Sequence, residues 1–261
     1  MLLRSCPEGI ICITQPCHAW VAGQLARAWG NETFGDFAPS EAVCLGAEQH
    51  DIGWLLWEQA PTLNPRTGYP HRFTEVPVSV HVEQWSKAKH LAMSLGRYVA
   101  LLVSLHGTGL YERFRHWENS PESKRLVQEF LQHEYTFQDQ LITTLQQDSS
   151  YAQYATASAI ARNRQLVAIW DALSLALCHS IHDQQQFDGV PTANGTTKLN
   201  LIPVEQSSSP IKVSPWPFAQ NEVTLGYEGR LLRQTFCDEV AMQQALHNAP
   251  WVTITNTLKP A

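Results

Sequence analysis

The spacing of apolar positions divides the chain into three stretches. Residues 1–14 contain a β-branched run, IICIT, after the turn residues Pro7, Glu8 and Gly9, which predicts a short strand or hairpin. From about residue 16 to 185 the apolar residues recur at helical spacing. After the polar segment DGVPTANGTTK the period changes toward two, which is typical of antiparallel strands. The chain is therefore predicted to be helical over most of its length and β-rich near its end.

Five helices are predicted in the long helical stretch, and one more among the later strands. They lie near residues 16–30, 41–59, 82–112, 121–146, 150–182 and 237–248. The strand-like segments are KLNLIPV, IKVSPWPF, EVTLGYEGRLLRQTF and WVTITNTL. These elements predict a mainly α fold, a helical bundle with a small antiparallel β-sheet formed by the N- and C-terminal segments. The helical core spans about 16–185, and the β-rich part, about 195–261, is expected to pack with residues 1–14 as a wall of the pocket or an oligomer interface.

Length and charge limit the possible functions. With 261 residues, 44% of them hydrophobic, and no low-complexity linker, residues 1–261 are predicted to form a single domain. The formal charge of -6 disfavours a nucleic-acid partner, because affinity for the phosphate backbone needs clustered basic groups. Arg4 and Glu8 interrupt the N-terminal segment, and no apolar run approaches the roughly 18 residues of a membrane span. We therefore expect a cytoplasmic protein without a signal peptide or a membrane partner.

The segment AEQHDIGW places a histidine and an aspartate side by side within a predicted buried helix. His50 falls on the same inward stripe as Val43 and Ala47, so it is predicted to be buried. Asp51 lies about 100° further round the helix, so one metal ion can contact both side chains only from the angle between them. A buried carboxylate is costly unless it is paired, hydrogen-bonded or bound to a metal.

Four further polar residues interrupt apolar helix faces: His18, His81, His106 and Asp171. Each histidine taken alone is more typical of a hydrogen-bonded core residue than of a ligand, and Asp171 has a structural alternative in an ion pair with Arg162 or Arg164. The occurrence of four His and two Asp residues on inward faces favours metal ligands over core residues, because imidazole and carboxylate are the usual ligands of Fe, Mn and Zn. The sequence therefore predicts a metal site.

The order of these residues resembles a known signature. His18, the His50-Asp51 dipeptide and Asp171 on a late helix are similar to the H…HD…D signature of the HD-domain superfamily of metal-dependent phosphohydrolases. Most of the chain also resembles an uncharacterised bacterial family of HD-like proteins, a domain of unknown function. The segments that carry this second resemblance are QPCHAWVAGQLARAWGN, AEQHDIGWLLWE, TGYPHRF, LLVSLHGTGLY and SPWPF. The resemblance implies that the helical bundle is HD-domain-like.

The resemblance also implies a ligand set and a reaction. His18, His50, Asp51 and Asp171 would bind a first metal, and Asp51 would bridge to a second metal held by His81 and His106. The cofactor would be one or two divalent transition-metal ions, Fe, Mn or Zn, and without His81 the site would be mononuclear. A metal-bound hydroxide is a nucleophile at neutral pH. The implied function is hydrolysis of a phosphate ester of a small molecule or nucleotide, with His50 and Asp51 as catalytic residues.

The connection between the dipeptide and His81 offers candidates for substrate binding. Arg66, Tyr69, His71 and Arg72 lie in the segment NPRTGYPHRF, within a connection long enough to act as a lid. The two guanidinium groups could clamp a phosphate or a carboxylate, which predicts a small anionic substrate. The alternative is a solvated surface loop.

Two other functions stay open at this point. Inositol oxygenase, in the same superfamily, has a similar ligand order, so di-iron oxygenase chemistry fits the same residues. A non-catalytic binding or signalling module on the HD scaffold is the third possibility, although such proteins usually lose ligands. A second dipeptide, His182-Asp183, is predicted to be a solvated helix end.

Overall fold

A computed structural model describes residues 1–204 and 210–261 of the chain. Helices account for 52% of the residues. The α-helices of the described ranges are α1 (Gln15–Ala28), α2 (Ser40–Glu48), α3 (Leu55–Gln59), α4 (Val78–Met93), α5 (Arg97–Arg113), α6 (Pro121–Gln146), α7 (Ala157–His179) and α8 (Glu239–Asn248).

The strands form one large sheet and one small hairpin. They are β1 (Leu2–Cys6), β2 (Gly9–Ile13), β3 (Leu63–Asn64), β4 (Tyr69–Pro70), β5 (Gln185–Pro191), β6 (Thr196–Ile202), β7 (Ile211–Ser214), β8 (Val223–Leu232) and β9 (Trp251–Pro260). The large sheet has the order β1-β2-β8-β9-β7-β6-β5, and β3 pairs with β4 separately. Neighbouring strands of the large sheet are antiparallel except β7 and β9, which run parallel, so the sheet is mixed.

The predicted mainly α bundle with a small antiparallel terminal sheet is wrong. The N-terminal hairpin does join the C-terminal strands, but the product is a curled, mixed sheet of seven strands that forms a half-barrel. The spacing of apolar residues identifies single strands, yet it carries no information on how many of them share one sheet. It also missed β5, whose mostly polar residues lie in and before the predicted polar break.

Two of the predicted helices are each divided in the structure. The segment 41–59 is interrupted after α2, at the His50-Asp51 dipeptide. The segment 82–112 is two helices, α4 and α5, separated at Gly96, whose φ of 139° is a conformation that side-chain-bearing residues rarely adopt. The long helix predicted over 121–146 is confirmed as α6.

The main hydrophobic core holds the helices that carry the candidate ligands. α1 packs against α2, α7 and β8, and α5 packs against α2, α4, α6 and α7. Trp170 and Tyr98 are among the largest side chains fully buried between these elements. In the described part of the chain, no helix combines the length and the apolar composition needed to cross a lipid bilayer.

Candidate metal centre

His18 is positioned by the start of α1. The hydroxyl group of Thr14 caps this helix by accepting a hydrogen bond from the backbone N–H of Cys17 (3.2 Å), and Pro16 lies in the first turn. His18 therefore follows a firmly capped helix start and is fully buried, in a helix that packs against α2 and α7.

The His50-Asp51 dipeptide lies in a turn and not within a helix as predicted. α2 ends at Glu48, and residues 49–51 form a turn that leads into a short 3₁₀ helix. In a continuous helix the two side chains would point about 100° apart. The turn removes that restriction, and both side chains are buried.

α5 and α7 carry the other two candidate ligands that reach the same place. α5 is apolar on nearly all sides, and His106 is buried in it. α7 is capped by the hydroxyl group of Thr156 and carries Asp171. Asp171 keeps 11% of its side chain exposed, more than any other member of the cluster, so the cluster is closest to solvent on that side.

Five of the six predicted ligands meet in two overlapping groups that could hold a metal ion. The groups are His18, His50 and Asp51, and His50, His106 and Asp171. In each group the ligand atoms lie within 4.8 Å of one another. The Nε2 atom of His50 is 3.6 Å from Asp51 Oδ2 and 3.3 Å from Asp171 Oδ1. His106 Nε2 is 3.7 Å from Asp171 Oδ2.

The hydrogen bonds of the two central histidines determine which ring nitrogen of each faces the carboxylates. His50 Nδ1 donates to the carbonyl oxygen of Ala47 (2.7 Å), so the neutral ring has its lone pair on Nε2. His18 Nδ1 donates to Ser174 Oγ (2.9 Å), because that hydroxyl gives its own hydrogen to a backbone carbonyl. His18 Nε2 lies at hydrogen-bond distance, 2.6 Å, from Asp51 Oδ2.

The donor set fits a metal ion. His50 Nε2 is fully buried and has no hydrogen-bond partner among the described residues, although carboxylate oxygens lie on two sides of it. Lone pairs that face one another in a buried site need a cation between them. A metal ion could supply that cation, because imidazole nitrogens and carboxylate oxygens are common metal ligands.

Without a metal ion, a proton supplies the positive charge. Burial lowers the pKa of His50, but the carboxylates of Asp51 and Asp171 outweigh burial and raise this pKa to about 9. Burial raises the pKa of each carboxyl group, but the neighbouring imidazoles, His50 foremost, hold both values below their usual range. Burial and then the charge of His50 lower the pKa of His106 to about 4.

These shifts predict that the metal-free protein is most stable near the ordinary histidine pKa of about 6.5. Between pH 6.5 and 9 the folded protein keeps a proton on His50 that the unfolded chain has lost, so stability falls as the pH rises. Between pH 6.5 and 4 the unfolded chain binds a proton that folded His106 does not, so stability also falls on acidification. Thermal unfolding of chelator-treated protein measures the curve. Stability that rises from pH 6.5 to 9 would contradict the prediction.

His81 is not brought into either group. Its Nε2 donates to the carbonyl oxygen of Phe73 (2.6 Å), and its ring packs edge-on against Trp54 with ring centroids 5.0 Å apart. Burial lowers its pKa, which favours the neutral ring. One ring nitrogen of His81, the residue predicted to bind a second metal, is thus engaged with the backbone.

The four predicted substrate-binding residues lie on the β3–β4 hairpin and the segment after it. Arg66 and Arg72 are exposed, and His71 Nδ1 lies 2.9 Å from the hydroxyl oxygen of Thr62. Tyr69 packs against a small hydrophobic cluster apart from the main core. None of the four lines the cavity that reaches the candidate ligands, so their role in substrate binding stays a prediction.

A cavity of about 700 Å³ opens between α5, α6 and α7 and reaches the cluster at His106. Leu110 and Ile142 contribute to its apolar wall, and Arg113 and Arg164 bring two guanidinium groups to it. This volume lies within the range of small-molecule binding sites. The cavity is therefore the candidate route by which a substrate reaches the cluster.

Three residues near the site were not predicted to belong to it. Gln15 donates from Nε2 to Asp51 Oδ2 (3.1 Å), Ser174 accepts from His18, and Arg164 lines the cavity. Their helical spacing carries a signal, because residues three or seven apart share a helix face. Gln15 precedes His18 by three residues, and Arg164 precedes Asp171 by seven.

The structural alternative for Asp171 does not form. Arg162 donates to the carbonyl oxygens of Phe34 and Thr192, and Arg164 pairs with Glu112. Neither arginine is the ion-pair partner considered for Asp171.

Comparison with known families agrees with part of the resemblance. Residues 1–234 match the profile of a family described as a protein of unknown function, DUF3891. The chain belongs to this family. The five clustered His and Asp residues of this DUF3891 chain all lie inside the matched range. The predicted membership in an uncharacterised family is confirmed. No curated protein and no solved structure matches this DUF3891 chain.

Proposed function

We propose that this DUF3891 protein is a metal-dependent hydrolase that cleaves a phosphate ester of a small molecule or nucleotide. The observation that carries the proposal is the buried Nε2 of His50, which lacks a hydrogen-bond partner within the described residues and lies between Asp51 and Asp171. The resemblance of the ligand order to the HD superfamily supports the same class of chemistry.

The five clustered residues share one task in this proposal, which is to hold the metal ion. The ligands would be His18, His50, Asp51, His106 and Asp171. One ion fits better than two, and better than a di-iron site, because His81 Nε2 is engaged with Phe73. Such an ion lowers the pKa of a water molecule to about 7 and stabilises developing negative charge. Gln15 and Ser174 hold Asp51 and His18 in orientation by hydrogen bonds.

The cavity beside His106 supports an anionic substrate with an apolar part. Arg164 is held in place because its Nε donates to the carbonyl oxygen of Leu105 (3.2 Å) and its Nη2 pairs with Glu112 (2.5 Å). Arg113 contributes a second guanidinium group. Guanidinium groups bind phosphate oxygens in a fixed geometry, while the apolar wall accepts the organic part of the ester.

Elemental analysis of protein purified without chelator tests the metal centre. The wild-type protein should contain about one equivalent of Fe, Mn or Zn, and Asp51→Ala prepared identically should contain none. Asp183→Ala is the matched control, because the second His-Asp dipeptide is exposed and should be irrelevant to metal binding. Equal metal content in wild type and Asp51→Ala would overturn the metal centre. A metal-loaded protein without turnover in a broad phosphate-ester screen would overturn the hydrolase alone.

Arg164→Ala should weaken phosphate binding without loss of metal. Inorganic phosphate is the probe, and its affinity for the metal-loaded protein should fall about 10- to 150-fold, because one hydrogen bond to a charged group contributes about 1.5–3 kcal/mol. Arg115→Ala is the control, since Arg115 is exposed and pairs with Glu118 away from the cavity wall. Calorimetric titration measures both. An unchanged affinity in Arg164→Ala would show that the cavity does not bind the anion.

A further inference from the structure

A second cavity, of about 530 Å³, lies where α1, α3 and α8 meet strands β8 and β9. None of the five candidate ligands lines it. We call it the tryptophan cavity, after Trp20 and Trp251 in its wall. Its volume is within the range of small-molecule sites.

Its two tryptophans leave aromatic surface open to a ligand. Trp20 is 44% exposed and Trp251 is 59% exposed, both high for such large apolar side chains. Each ring already holds a guanidinium group near it, Arg27 at 5.8 Å from Trp20 and Arg230 at 3.7 Å from Trp251. Indole rings bind cations and flat aromatic groups on their faces. Because guanidinium groups already lie near both rings, the exposed ring surface favours a planar partner.

Glu58, in the same wall, has a buried oxygen that lacks a donor. Its side chain is 3% exposed. Oε1 accepts hydrogen bonds from the backbone N–H of Gln15 (3.0 Å) and from the amino group of Met1 (2.8 Å). Oε2 has no hydrogen-bond partner within the part of the chain that the structure describes. A buried acceptor without a partner costs about 1–3 kcal/mol, so a donor from outside is favoured there.

The wall carries two acidic residues, Glu58 and Glu228, and two cationic groups, the amino group of Met1 and the guanidinium group of Arg230. Burial raises the pKa of Cys12 to about 12, and the Glu58 carboxylate adds to that rise. The amino group of Met1 already pairs with Glu58 Oε1, so the feature that selects a ligand is the open acceptor Oε2 and not an excess of negative charge in the wall.

We propose that the tryptophan cavity is a second ligand site, which binds a small planar aromatic molecule bearing an amidinium or protonated amino group. The N–H group of the ligand donates to Glu58 Oε2, and its ring packs on Trp20 and Trp251. Gln15 connects this site to the candidate metal centre, because its backbone donates to Glu58 and its side chain donates to Asp51. A ligand in the cavity should therefore change metal affinity, and this coupling alone rests on the proposed function.

Benzamidine is the probe for the ligand site, with benzamide as the uncharged analogue. Calorimetric titration should show benzamidine binding at least tenfold more tightly than benzamide. Trp251→Ala and Glu58→Gln should each weaken benzamidine binding at least tenfold. Glu222→Gln is the control, because Glu222 is exposed, pairs with Lys259 and lies outside the cavity wall.

Two results would overturn the ligand site. Equal affinities for benzamidine and benzamide would remove the role of Glu58. Trp251→Ala with wild-type affinity would remove the role of the aromatic wall, and this variant does not depend on a buried contact because the Trp251 ring is exposed. Either test holds whether or not the protein binds a metal.

The coupling is tested by the affinity of benzamidine for metal-loaded and metal-free protein. The two values should differ several-fold, and metal affinity should shift by the same factor when benzamidine is bound. Gln15→Ala keeps its backbone bond to Glu58 but loses the side-chain bond to Asp51, so it should remove the difference. Identical benzamidine affinities of the wild-type protein with and without metal would overturn the coupling. They would not affect the ligand site, which the comparison of benzamidine with benzamide tests separately.

Discussion

Replacing Glu134 by alanine should lower the free energy of unfolding by about 3–5 kcal/mol. Glu134, on α6, is 1% exposed, and its carboxylate accepts hydrogen bonds from Lys89 Nζ and Ser104 Oγ, both at 2.5 Å. Alanine would leave the Lys89 ammonium group buried without its carboxylate partner. Leaving a buried charge without its partner is among the most destabilising single changes in proteins.

Urea denaturation of three variants separates this effect from a general sensitivity of α6. Glu129→Ala lies on the same helix, where Glu129 pairs with Arg125 at the surface, and should change stability by no more than about 0.5 kcal/mol. Lys89→Met combined with Glu134→Ala should recover part of the loss, because it removes the unpaired charge. Equal effects of Glu129→Ala and Glu134→Ala would show that the buried pair is not the cause.

The network around Glu134 also supports the candidate metal centre. Ser104 and Thr108 on α5 both accept hydrogen bonds from Gln138 Nε2 on α6, at 2.9 and 3.3 Å. His106 lies between them in the sequence, and its ring points toward the cluster from the same helix. The network joins α4, α5 and α6 and so fixes the rotation of the helix that presents His106.

The sequence contained enough information to find most of the cluster. His18, His106 and Asp171 are polar residues within long apolar helix faces, and such residues must point to a shared partner or remain costly. Helical spacing therefore identified them without knowledge of the sheet. Three of the five clustered residues were found for this reason, whereas His50 and Asp51 lie in a turn, where helical spacing does not apply.

His81 shows where this reasoning fails. Its place on an apolar helix face predicted an inward side chain and the resemblance implied a ligand, but its partner is the carbonyl oxygen of Phe73, in the segment before the helix. Loop backbones have no periodicity from which such a contact follows. The size of the sheet was missed for a related reason, because β7 lies beside β9 through pairing between segments distant in the sequence.

The turn at the His50-Asp51 dipeptide depends on a glycine, and Gly53→Ala should disrupt it. A Cβ at position 53 would collide with the backbone carbonyl group of Gln84 on α4 and would lie 2.9 Å from the Cβ of Ala88. A backbone carbonyl cannot move aside by a rotamer change, so α4 or the turn must shift. We expect a loss of about 3 kcal/mol in the free energy of unfolding, measured by urea denaturation of metal-free protein.

The same shift should weaken metal binding at least tenfold, because it displaces two ligands of one site. Gly226→Ala is the matched control, since no atom lies within 4 Å of a Cβ added there, and its stability should stay within about 0.5 kcal/mol of wild type. If Gly53→Ala were as stable as Gly226→Ala, the turn would not be packed against α4. A large loss of stability with unchanged metal affinity would mean that the ligands are positioned by α1, α5 and α7, and that the turn only closes the core beneath them.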